Sequence, residues 1–223
     1  MKAPLGIVLR SCLFAALLLL ITPPYSLVAL GTFPLAALTR YRIVRGWALL
    51  TLVLLDHICG IRYRVLGAGH IPSQPCVILS KHQSAWETIA FQAIFPPQVQ
   101  VIKRELLWIP FFGWGLAMVS PIAIDRASGV RALKQVIEQG KDRLKRGFWV
   151  IVYPEGTRMA PGVHGKYQTG GAAIAVHAGA PVVPVAHDAG KYWRRNAFLK
   201  YPGTITVSIG RAMESRGMKA EAL

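Results

Sequence analysis

Carboxylates and cysteines are both scarce in this chain of 223 residues. Ten Asp and Glu residues stand against 26 Lys and Arg residues, so the formal net charge is +16. A charge this positive predicts an anionic partner, either nucleic acid or a membrane surface with its phosphate-bearing lipids. The three cysteines, Cys12, Cys59 and Cys76, are odd in number and scattered. They therefore indicate neither a disulfide framework nor a zinc site.

Several common signatures of catalysis and binding are also missing. There is no GxSxG elbow, and Gly165-Lys166 lacks the upstream glycine and the following Ser or Thr of a P-loop. No zinc-finger spacing or RNA-binding aromatic signature is present, which disfavours a nucleic-acid partner. The histidines show no HExxH spacing, so nothing in the sequence calls for a metal or another cofactor. Five of the six histidines are interpreted as surface or core residues: His57, His70, His164, His177 and His187.

What the chain does have is a long uncharged stretch near its amino end, in a composition that is 53% hydrophobic. Residues 11–39 carry no charge and are flanked by Arg10 and Arg40. As one helix they would span about 43 Å, more than a bilayer core needs. Pro23-Pro24 divides the stretch, which predicts either one kinked membrane helix or a re-entrant hairpin, and basic flanks at both ends favour the hairpin. We interpret the stretch as an anchor and not a cleaved signal, since no small-x-small cleavage site follows it.

A second apolar run, Ala48–Leu55, is bracketed by Trp47 and by arginines on both sides. Such a helix suits a membrane interface, and it equally suits the core of the domain that follows. Residues 1–60 are therefore predicted to form an amino-terminal helical segment associated with the membrane, and residues 61–223 to form a single domain.

From residue 65 onward, short apolar runs alternate with helical patterns. In residues 130–146, Leu133, Val136, Ile137 and Leu144 share one helical face, and cations cover the rest. Strands that alternate with helices predict an α/β fold with a single, largely parallel sheet flanked by helices. The predicted strands are Cys76–Leu79, Val99–Ile102, Pro121–Ile124, Phe148–Val152, Val182–Val185 and Thr204–Ile209.

Unusual polar residues come directly after four of these runs. Because the carboxyl ends of parallel strands meet at one edge of a sheet, we expect the four loops to line a common pocket. Each loop also has a simpler explanation: Asp125 could cap a helix, and Glu155 could pair only with Arg158. The residues concerned are His82, Glu87, Lys103, Arg104, Asp125, Arg126, Glu155, Thr157 and Arg158.

The loop at residues 81–87 contains a histidine and a carboxylate five positions apart. A neutral imidazole can take a proton from an alcohol, and a carboxylate can orient the ring and stabilise the imidazolium. The segment Ser84–Glu87 also reads as a capping box, with Ser84 as N-cap and Glu87 at the third helical position. A capping-box glutamate points back toward the residues before the helix, so the two interpretations are compatible.

Taken together, these blocks resemble the glycerolipid acyltransferase family, and specifically its bacterial 1-acyl-sn-glycerol-3-phosphate acyltransferases. The segment 82–87 is similar to the family's HX4D block, with Glu87 for the usual Asp and Lys81 where Asn is common. The resemblance extends over about residues 60–210. Its other blocks are Lys103-Arg104-Glu105-Leu106, Ile122–Arg126, Tyr153-Pro154-Glu155-Gly156-Thr157-Arg158 (with Tyr153 for Phe) and Pro181–Val185.

The resemblance implies roles for the residues of these blocks. His82 would be the general base and Glu87 its orienting partner, and Lys103, Arg126 and Arg158 would bind the phosphate of the substrate. Backbone N–H groups near Glu155-Gly156 are candidates for stabilising the oxyanion, and Gly156 would allow close approach of the substrate. Ser84, Asp125 and Thr157 would help to position the loops, and Pro184 belongs to the fourth block, on the acyl-chain side.

The implied activity is transfer of a fatty acyl group from acyl carrier protein or coenzyme A to the sn-2 hydroxyl of 1-acyl-sn-glycerol-3-phosphate, giving phosphatidic acid. The enzyme would work at a bacterial inner membrane and face the cytoplasm, and it would need no cofactor, metal or nucleic acid. Two alternatives stay open: acylation of another lyso-lipid, such as a lyso-ornithine lipid or a remodelled phospholipid, and a basic membrane-surface or nucleic-acid-binding protein without catalysis.

Overall fold

In the computed structural model, which describes residues 4–125 and 129–223, the chain begins with two long helices. Helix α1 spans Leu5–Gly31 and helix α2 spans Ala37–Cys59. Helix α1 is long and apolar enough to cross a bilayer; its best 18-residue window has a mean hydropathy of 2.3, and 11% of that window is buried. The first helix of the segment that was predicted to be membrane-associated therefore has few buried residues in this window.

The predicted hairpin at Pro23-Pro24 is wrong, because α1 continues through both prolines. Proline removes a helical hydrogen bond, so a helix that contains two of them needs support from its neighbours. Helix α2 supplies that support. The Trp47 indole N–H donates to the Thr22 hydroxyl at 3.1 Å, and the Tyr25 hydroxyl donates to the Ile43 carbonyl at 2.8 Å. The chain turns back after Gly31 instead.

Helix α2 is longer than the predicted run, and one face of it belongs to the core of the domain, as one of the two interpretations predicted. Buried residues recur along one face of it at helical spacing: Tyr41, Val44, Ala48, Thr51, Leu55 and Cys59. This face packs on the core, whereas Ile43, Leu49 and Val53 stay exposed on the other side. Gly60 ends the helix in the left-handed conformation (φ 67°), and the sheet begins at the next residue.

The remaining elements alternate between strands and helices. Seven strands form one sheet in the order β1-β7-β6-β2-β5-β3-β4, and every neighbouring pair is parallel except β6 and β7. The prediction of a single, largely parallel sheet flanked by helices is confirmed. The elements are β1 Ile61–Leu66, β2 Val77–Ser80, α3 Trp86–Ile94, β3 Gln98–Lys103, α4 Phe112–Met118, β4 Ile122–Ile124, α5 Val130–Lys145, β5 Trp149–Val152, α6 Gly170–Ala178, β6 Val182–His187 and β7 Gly203–Ile209.

The central strands are buried on both faces, which explains why they read as continuous apolar runs. Ile78 and Ile151 face a cluster that contains Trp86 and Phe91 of α3, together with residues of α1 and α2. Their neighbours Val77 and Val150 face the opposite cluster, which contains residues of α5 and α6. Strands β2, β5, β3 and β4 run in the same direction, so the four polar loops that follow them begin at one edge of the sheet, as predicted.

Candidate active site

The histidine and the carboxylate predicted to interact are in contact. One carboxylate oxygen of Glu87, Oε1, accepts hydrogen bonds from His82 Nδ1 at 2.8 Å, from the Gln83 amide at 2.7 Å and from the Ser84 amide at 2.8 Å. An ionised carboxylate only accepts hydrogen bonds, so His82 Nδ1 must carry a proton. In the neutral ring, Nε2 is then the basic nitrogen.

The capping box forms only in part. Helix α3 begins at Trp86, and the Ser84 amide donates to Glu87 as a capping box requires. The Ser84 hydroxyl, however, accepts from the Trp86 amide at 3.1 Å instead of from the amide of Glu87. Ser84 is fully buried, and it shapes the turn between the strand and the helix. The turn directs the Glu87 side chain toward His82.

Glu87 is fully buried, and its ionisation depends on these donors. Burial acts to raise its pKa, but the hydrogen bond from His82, the nearby imidazole charges and the Ser84 amide outweigh burial and hold the pKa below the ordinary value. Its second oxygen, Oε2, is buried and makes no hydrogen bond to the described residues. All three donors thus act on the oxygen that faces His82.

Tyr153 fixes the plane of the His82 ring. The two rings stack with centroids 4.0 Å apart and an interplanar angle of 21°. Burial, followed by the charge of Glu87, raises the pKa of Tyr153 well above its ordinary value, so its hydroxyl remains a donor. It donates to Gln100 Oε1 at 3.3 Å, and Gln100 Nε2 donates to the Thr88 carbonyl at 2.9 Å. The ring is therefore tied back to the helix that carries Glu87.

His187, interpreted from the sequence as a surface or core residue, lies in the core directly behind the pair. Its Nε2 is 2.8 Å from the Lys81 carbonyl and 3.8 Å from Glu87 Oε1, and its Nδ1 accepts from the Ala189 amide at 3.3 Å. A carbonyl can only accept, so Nε2 carries a proton. The signal in the sequence was its place just after the apolar run Val182–Val185.

A buried ion pair links the loop at residues 81–87 to the loop after β5. Lys81 Nζ lies 2.6 Å from Glu155 Oε1 and 2.6 Å from the Val163 carbonyl, and the Gly165 amide donates to the same Glu155 oxygen at 2.9 Å. Burial acts to raise the pKa of Glu155, but the Gly165 amide and Lys81 lower it below its ordinary value. The simple alternative, in which Glu155 pairs only with Arg158, is wrong.

The backbone N–H of Gly156 does not serve as a free oxyanion donor in this structure. It donates to the Tyr153 carbonyl at 2.9 Å, closing a tight turn. Gly156 has φ 67°, a left-handed conformation that a residue with a Cβ adopts at a cost, so the glycine is required by the turn itself. The expectation that backbone N–H groups near Glu155-Gly156 stabilise the oxyanion stays a prediction, which the N–H of Gly156 does not meet in this conformation.

Two of the three predicted phosphate-binding cations, Arg158 and Lys103, lie at this edge of the sheet. Arg158 lines the cavity described below, whereas Lys103 ends β3 and is exposed. Arg126 lies outside the described residues. Asp125 follows β4 and is half-buried, and Thr157 is exposed. Pro184 lies inside β6, opposite Leu79 of β2, and it is not on the cavity wall.

An apolar cavity of about 320 Å³ opens beside the pair. Helices α1, α2 and α4 form one wall through residues such as Ala29, Val44 and Leu116. Helix α3 and strand β3 form the other wall, where Ala85 and Thr88 lie on the same turn as Glu87. Its size and lining suit a long hydrocarbon chain whose end reaches the His82 loop.

Comparison with known proteins identifies the class. The family model described as acyltransferase matches residues 62–188. The chain belongs to this acyltransferase family, which confirms the resemblance found in its motif blocks.

Individual relatives carry names that specify an acyl acceptor. Over 185 residues the chain is 52% identical to 1-acyl-sn-glycerol-3-phosphate acyltransferase of Pseudomonas aeruginosa, covering 82% of this chain and 72% of the relative. It is 35% identical over 162 residues to the human 1-acyl-sn-glycerol-3-phosphate acyltransferase alpha, covering 71% of this chain and 57% of the relative. Among solved structures, the 1-acyl-sn-glycerophosphate acyltransferase PlsC of Thermotoga maritima matches with a TM-score of 0.79 at 22% identity, over 96% of this chain and 88% of that one. That match shows a shared fold.

Proposed function

We propose that this acyltransferase transfers a fatty acyl group from an acyl thioester to the sn-2 hydroxyl of 1-acyl-sn-glycerol-3-phosphate, giving phosphatidic acid. The observation that carries the proposal is the His82–Glu87 pair, joined at 2.8 Å beside an apolar cavity that has Arg158 on its wall. The names of the relatives support the choice of acceptor.

In the proposed reaction, His82 Nε2 takes the proton of the hydroxyl while its oxygen attacks the thioester carbonyl carbon. Glu87 stabilises the imidazolium through Nδ1, and Tyr153 keeps the ring in its plane. When the tetrahedral intermediate collapses, the C–S bond breaks and the imidazolium returns the proton to the departing thiolate. The pair thus acts first as a base and then as an acid.

Recognition of the acceptor requires cations near the reacting hydroxyl. Arg158 meets this requirement because it lies on the cavity wall, and its planar guanidinium suits bidentate contact with a phosphate. Lys103 lies at the same edge of the sheet and Arg126 follows β4 in the sequence, so both stay candidates for the same role. We assign the cavity to an acyl chain.

Membrane attachment follows from helix α1 under this proposal. Its exposed apolar surface and its basic flanks suit a bacterial inner membrane with the catalytic domain on the cytoplasmic side. Protease treatment of sealed inverted membrane vesicles, compared with spheroplasts, tests the orientation. Digestion of the domain in spheroplasts alone would contradict it.

Turnover by purified protein tests the proposed function. Lysophosphatidate and an acyl thioester are supplied in detergent micelles, and wild type is compared with His82→Ala and with a control, His177→Ala, which changes an exposed histidine of α6. We expect His82→Ala to lower kcat by about 10²–10⁴-fold and the control to keep full activity. Equal turnover by His82→Ala and wild type would remove the catalytic role of His82.

The identity of the acceptor is tested on the same preparation. A panel of lysophosphatidate, monoacylglycerol, lysophosphatidylethanolamine and lyso-ornithine lipid should show preference for lysophosphatidate. In the variant Arg158→Ala, the KM for lysophosphatidate should rise more than the KM for the thioester, because only the acceptor's phosphate needs the guanidinium. The reverse order would reassign Arg158 to the donor.

A further inference from the structure

The apolar cavity has polar residues at the end that lies farther from His82. Strand β3 runs toward the edge of the sheet where the polar loops begin, and its first residue, Gln98, lines the cavity. Five residues separate Gln98 from the last residue of the strand, which places it about 16 Å from that edge at about 3.3 Å per residue. Arg45 of α2 and Gln92, near the end of α3, also line the cavity. We call Arg45, Gln92 and Gln98 the distal polar group.

Tyr41 of α2 joins the members of the distal polar group. Its hydroxyl donates to Gln92 Oε1 at 2.5 Å, and the Gln98 backbone N–H and the charge of Arg45 both interact with the same hydroxyl. Arg45 Nη2 also donates to the Ala93 carbonyl at 3.4 Å. The three residues therefore lie around Tyr41, where α2, the end of α3 and the start of β3 come together.

Three buried atoms of this group have no hydrogen-bond partner in the part of the chain that the structure describes. They are Arg45 Nε and the Nε2 and Oε1 of Gln98, which is 0% exposed. Gln100 follows two residues later on the same face of β3, and both of its side-chain polar atoms are paired. A buried amide without a partner destabilises the fold, so a cavity for hydrocarbon alone would favour leucine in place of Gln98.

The unpaired atoms define the chemical group that would satisfy them. The N–H groups of Arg45 Nε and Gln98 Nε2 are donors, and Gln98 Oε1 is an acceptor. An aliphatic hydroxyl offers one donor and two acceptor lone pairs, so one hydroxyl has the capacity to pair with all three atoms. A methyl group pairs with none of them, and a carboxylate leaves Oε1 unpaired because it only accepts.

The length of the cavity indicates where on a chain this hydroxyl would lie. An extended hydrocarbon advances about 1.25 Å per carbon, given C–C bonds of about 1.5 Å. A span of about 16 Å along β3 therefore corresponds to about 12 carbons. A hydroxyl close to the carbonyl carbon would remain near His82 and would not reach Gln98.

We propose that the distal polar group selects acyl chains that carry a hydroxyl about ten to twelve carbons from the carbonyl carbon. This inference rests on the proposed function, because it takes the cavity to be the site of an acyl chain. The chain belongs either to the thioester or to the sn-1 position of lysophosphatidate. The shared chemistry is a chain hydroxylated near its far end, and the two arms of the experiment separate these sources.

The donor arm compares dodecanoyl chains that differ only in their oxygen substituent. Dodecanoyl, 3-hydroxy-, 10-hydroxy- and 12-hydroxydodecanoyl groups and the monothioester of dodecanedioic acid are supplied as thioesters of coenzyme A and of acyl carrier protein. The acceptor arm keeps the dodecanoyl donor and places the same hydroxylated chains on lysophosphatidate. In one arm we expect kcat/KM for a 10- or 12-hydroxy chain to exceed that for the unsubstituted chain about tenfold or more. The 3-hydroxy chain should bring no gain.

The variant Gln98→Leu removes the amide and keeps most of the side-chain volume. We expect it to lose the preference for the hydroxylated chain and to raise the melting temperature by about 2–4 °C or more, because a buried unpaired amide is removed. The matched control is Gln135→Leu, which changes an exposed glutamine of α5 and should keep both the preference and the melting temperature. If Gln98→Leu does not fold, Gln98→Met takes its place with the same expectations.

The remaining outcomes each overturn a defined part of the inference. Equal kcat/KM for plain and hydroxylated chains in both arms would overturn the selection and leave water as the partner of the distal polar group. A preference that survives in Gln98→Leu would overturn the role of Gln98. A preference for the dodecanedioic thioester would assign the end of the cavity to a carboxylate on Arg45 instead. No turnover of any chain would refute the proposed function itself.

Discussion

Glu87 stands where the family that this chain resembles usually has Asp, and the structure predicts that the substitution Glu87→Asp lowers activity. Three donors converge on Glu87 Oε1 at 2.7–2.8 Å. Aspartate is shorter by one methylene, so its carboxylate would retract by about 1.5 Å, the length of one C–C bond. The contact with His82 Nδ1 would then exceed hydrogen-bonding distance unless the start of α3 moved.

The size of the effect follows from the lost contact. A hydrogen bond to a charged group contributes about 1.5–3 kcal/mol, and each 1.36 kcal/mol of lost transition-state stabilisation is a factor of ten in rate. We therefore expect kcat to fall by about 10–100-fold, with the KM of both substrates nearly unchanged because neither contacts Glu87. Steady-state kinetics in micelles measures this, and thermal unfolding establishes that the variant is folded.

The comparison variant is Glu87→Gln, which keeps the length and the accepting oxygen but removes the charge. The fall in kcat of Glu87→Gln measures how much the charge stabilises the imidazolium, whereas the fall in kcat of Glu87→Asp measures the effect of the longer distance to His82. If Glu87→Asp works within threefold of wild type, the loop adapts freely and the argument from length fails.

Three further predictions concern the groups around the pair. Lys81→Met leaves Glu155 buried without its cation and should lower the free energy of unfolding by about 3–5 kcal/mol in denaturant titrations, whereas Lys81→Met/Glu155→Met should recover most of the loss; a double variant as unstable as the single would contradict this. His187→Phe strips the Lys81 carbonyl of its donor and should lower kcat about tenfold at constant KM, with partial recovery in His187→Gln; a change in KM alone would refute a positioning role. The lowered pKa of Glu155 contributes stability that is present above the ordinary glutamate pKa of about 4.3 and is lost as the pH falls through the lower value in the folded protein, so melting temperatures of Glu155→Gln should fall less between pH 7 and pH 3 than those of wild type.

The fold was predictable where its signal is local. Most strands appear as apolar runs in the sequence, and six of the seven strands were found this way. Strand β1 was missed because Arg62 and Arg64 resembled the basic flank of a membrane helix. They lie on an edge strand, whose exposed positions accept charge and thereby discourage pairing with another chain.

The site was predictable only in part, because some of its partners are distant in the sequence. His82 and Glu87 are five residues apart, so one turn brings them together. Lys81 and Glu155 are 74 residues apart, and His187 reaches Lys81 across 106 residues. Only the order of strands in the sheet places those groups together, and the order β6-β2-β5 cannot be read from periodicity.

The hairpin error at Pro23-Pro24 has the same origin. The intrinsic preference of proline against helix was weighed without the contacts that α2 supplies through Trp47 and Tyr25. Tertiary contacts can outweigh a local preference of about 3 kcal/mol per proline.

The cavity lies between helix α1 and the turn that carries Glu87. Thr22, Tyr25, Ser26 and Ala29 of α1 line the same space as Thr88, which follows Glu87 in α3. The Ser26 hydroxyl donates to the Phe111 carbonyl, which holds α1 against the amino end of α4. A change in the tilt of α1 would therefore alter the walls of the cavity, so the helix that we propose as the membrane segment also shapes the proposed acyl-chain site. Deleting α1 should accordingly remove activity toward micellar substrates, because one wall of the cavity would be missing. Soluble short-chain donors should not restore the activity of the remaining domain.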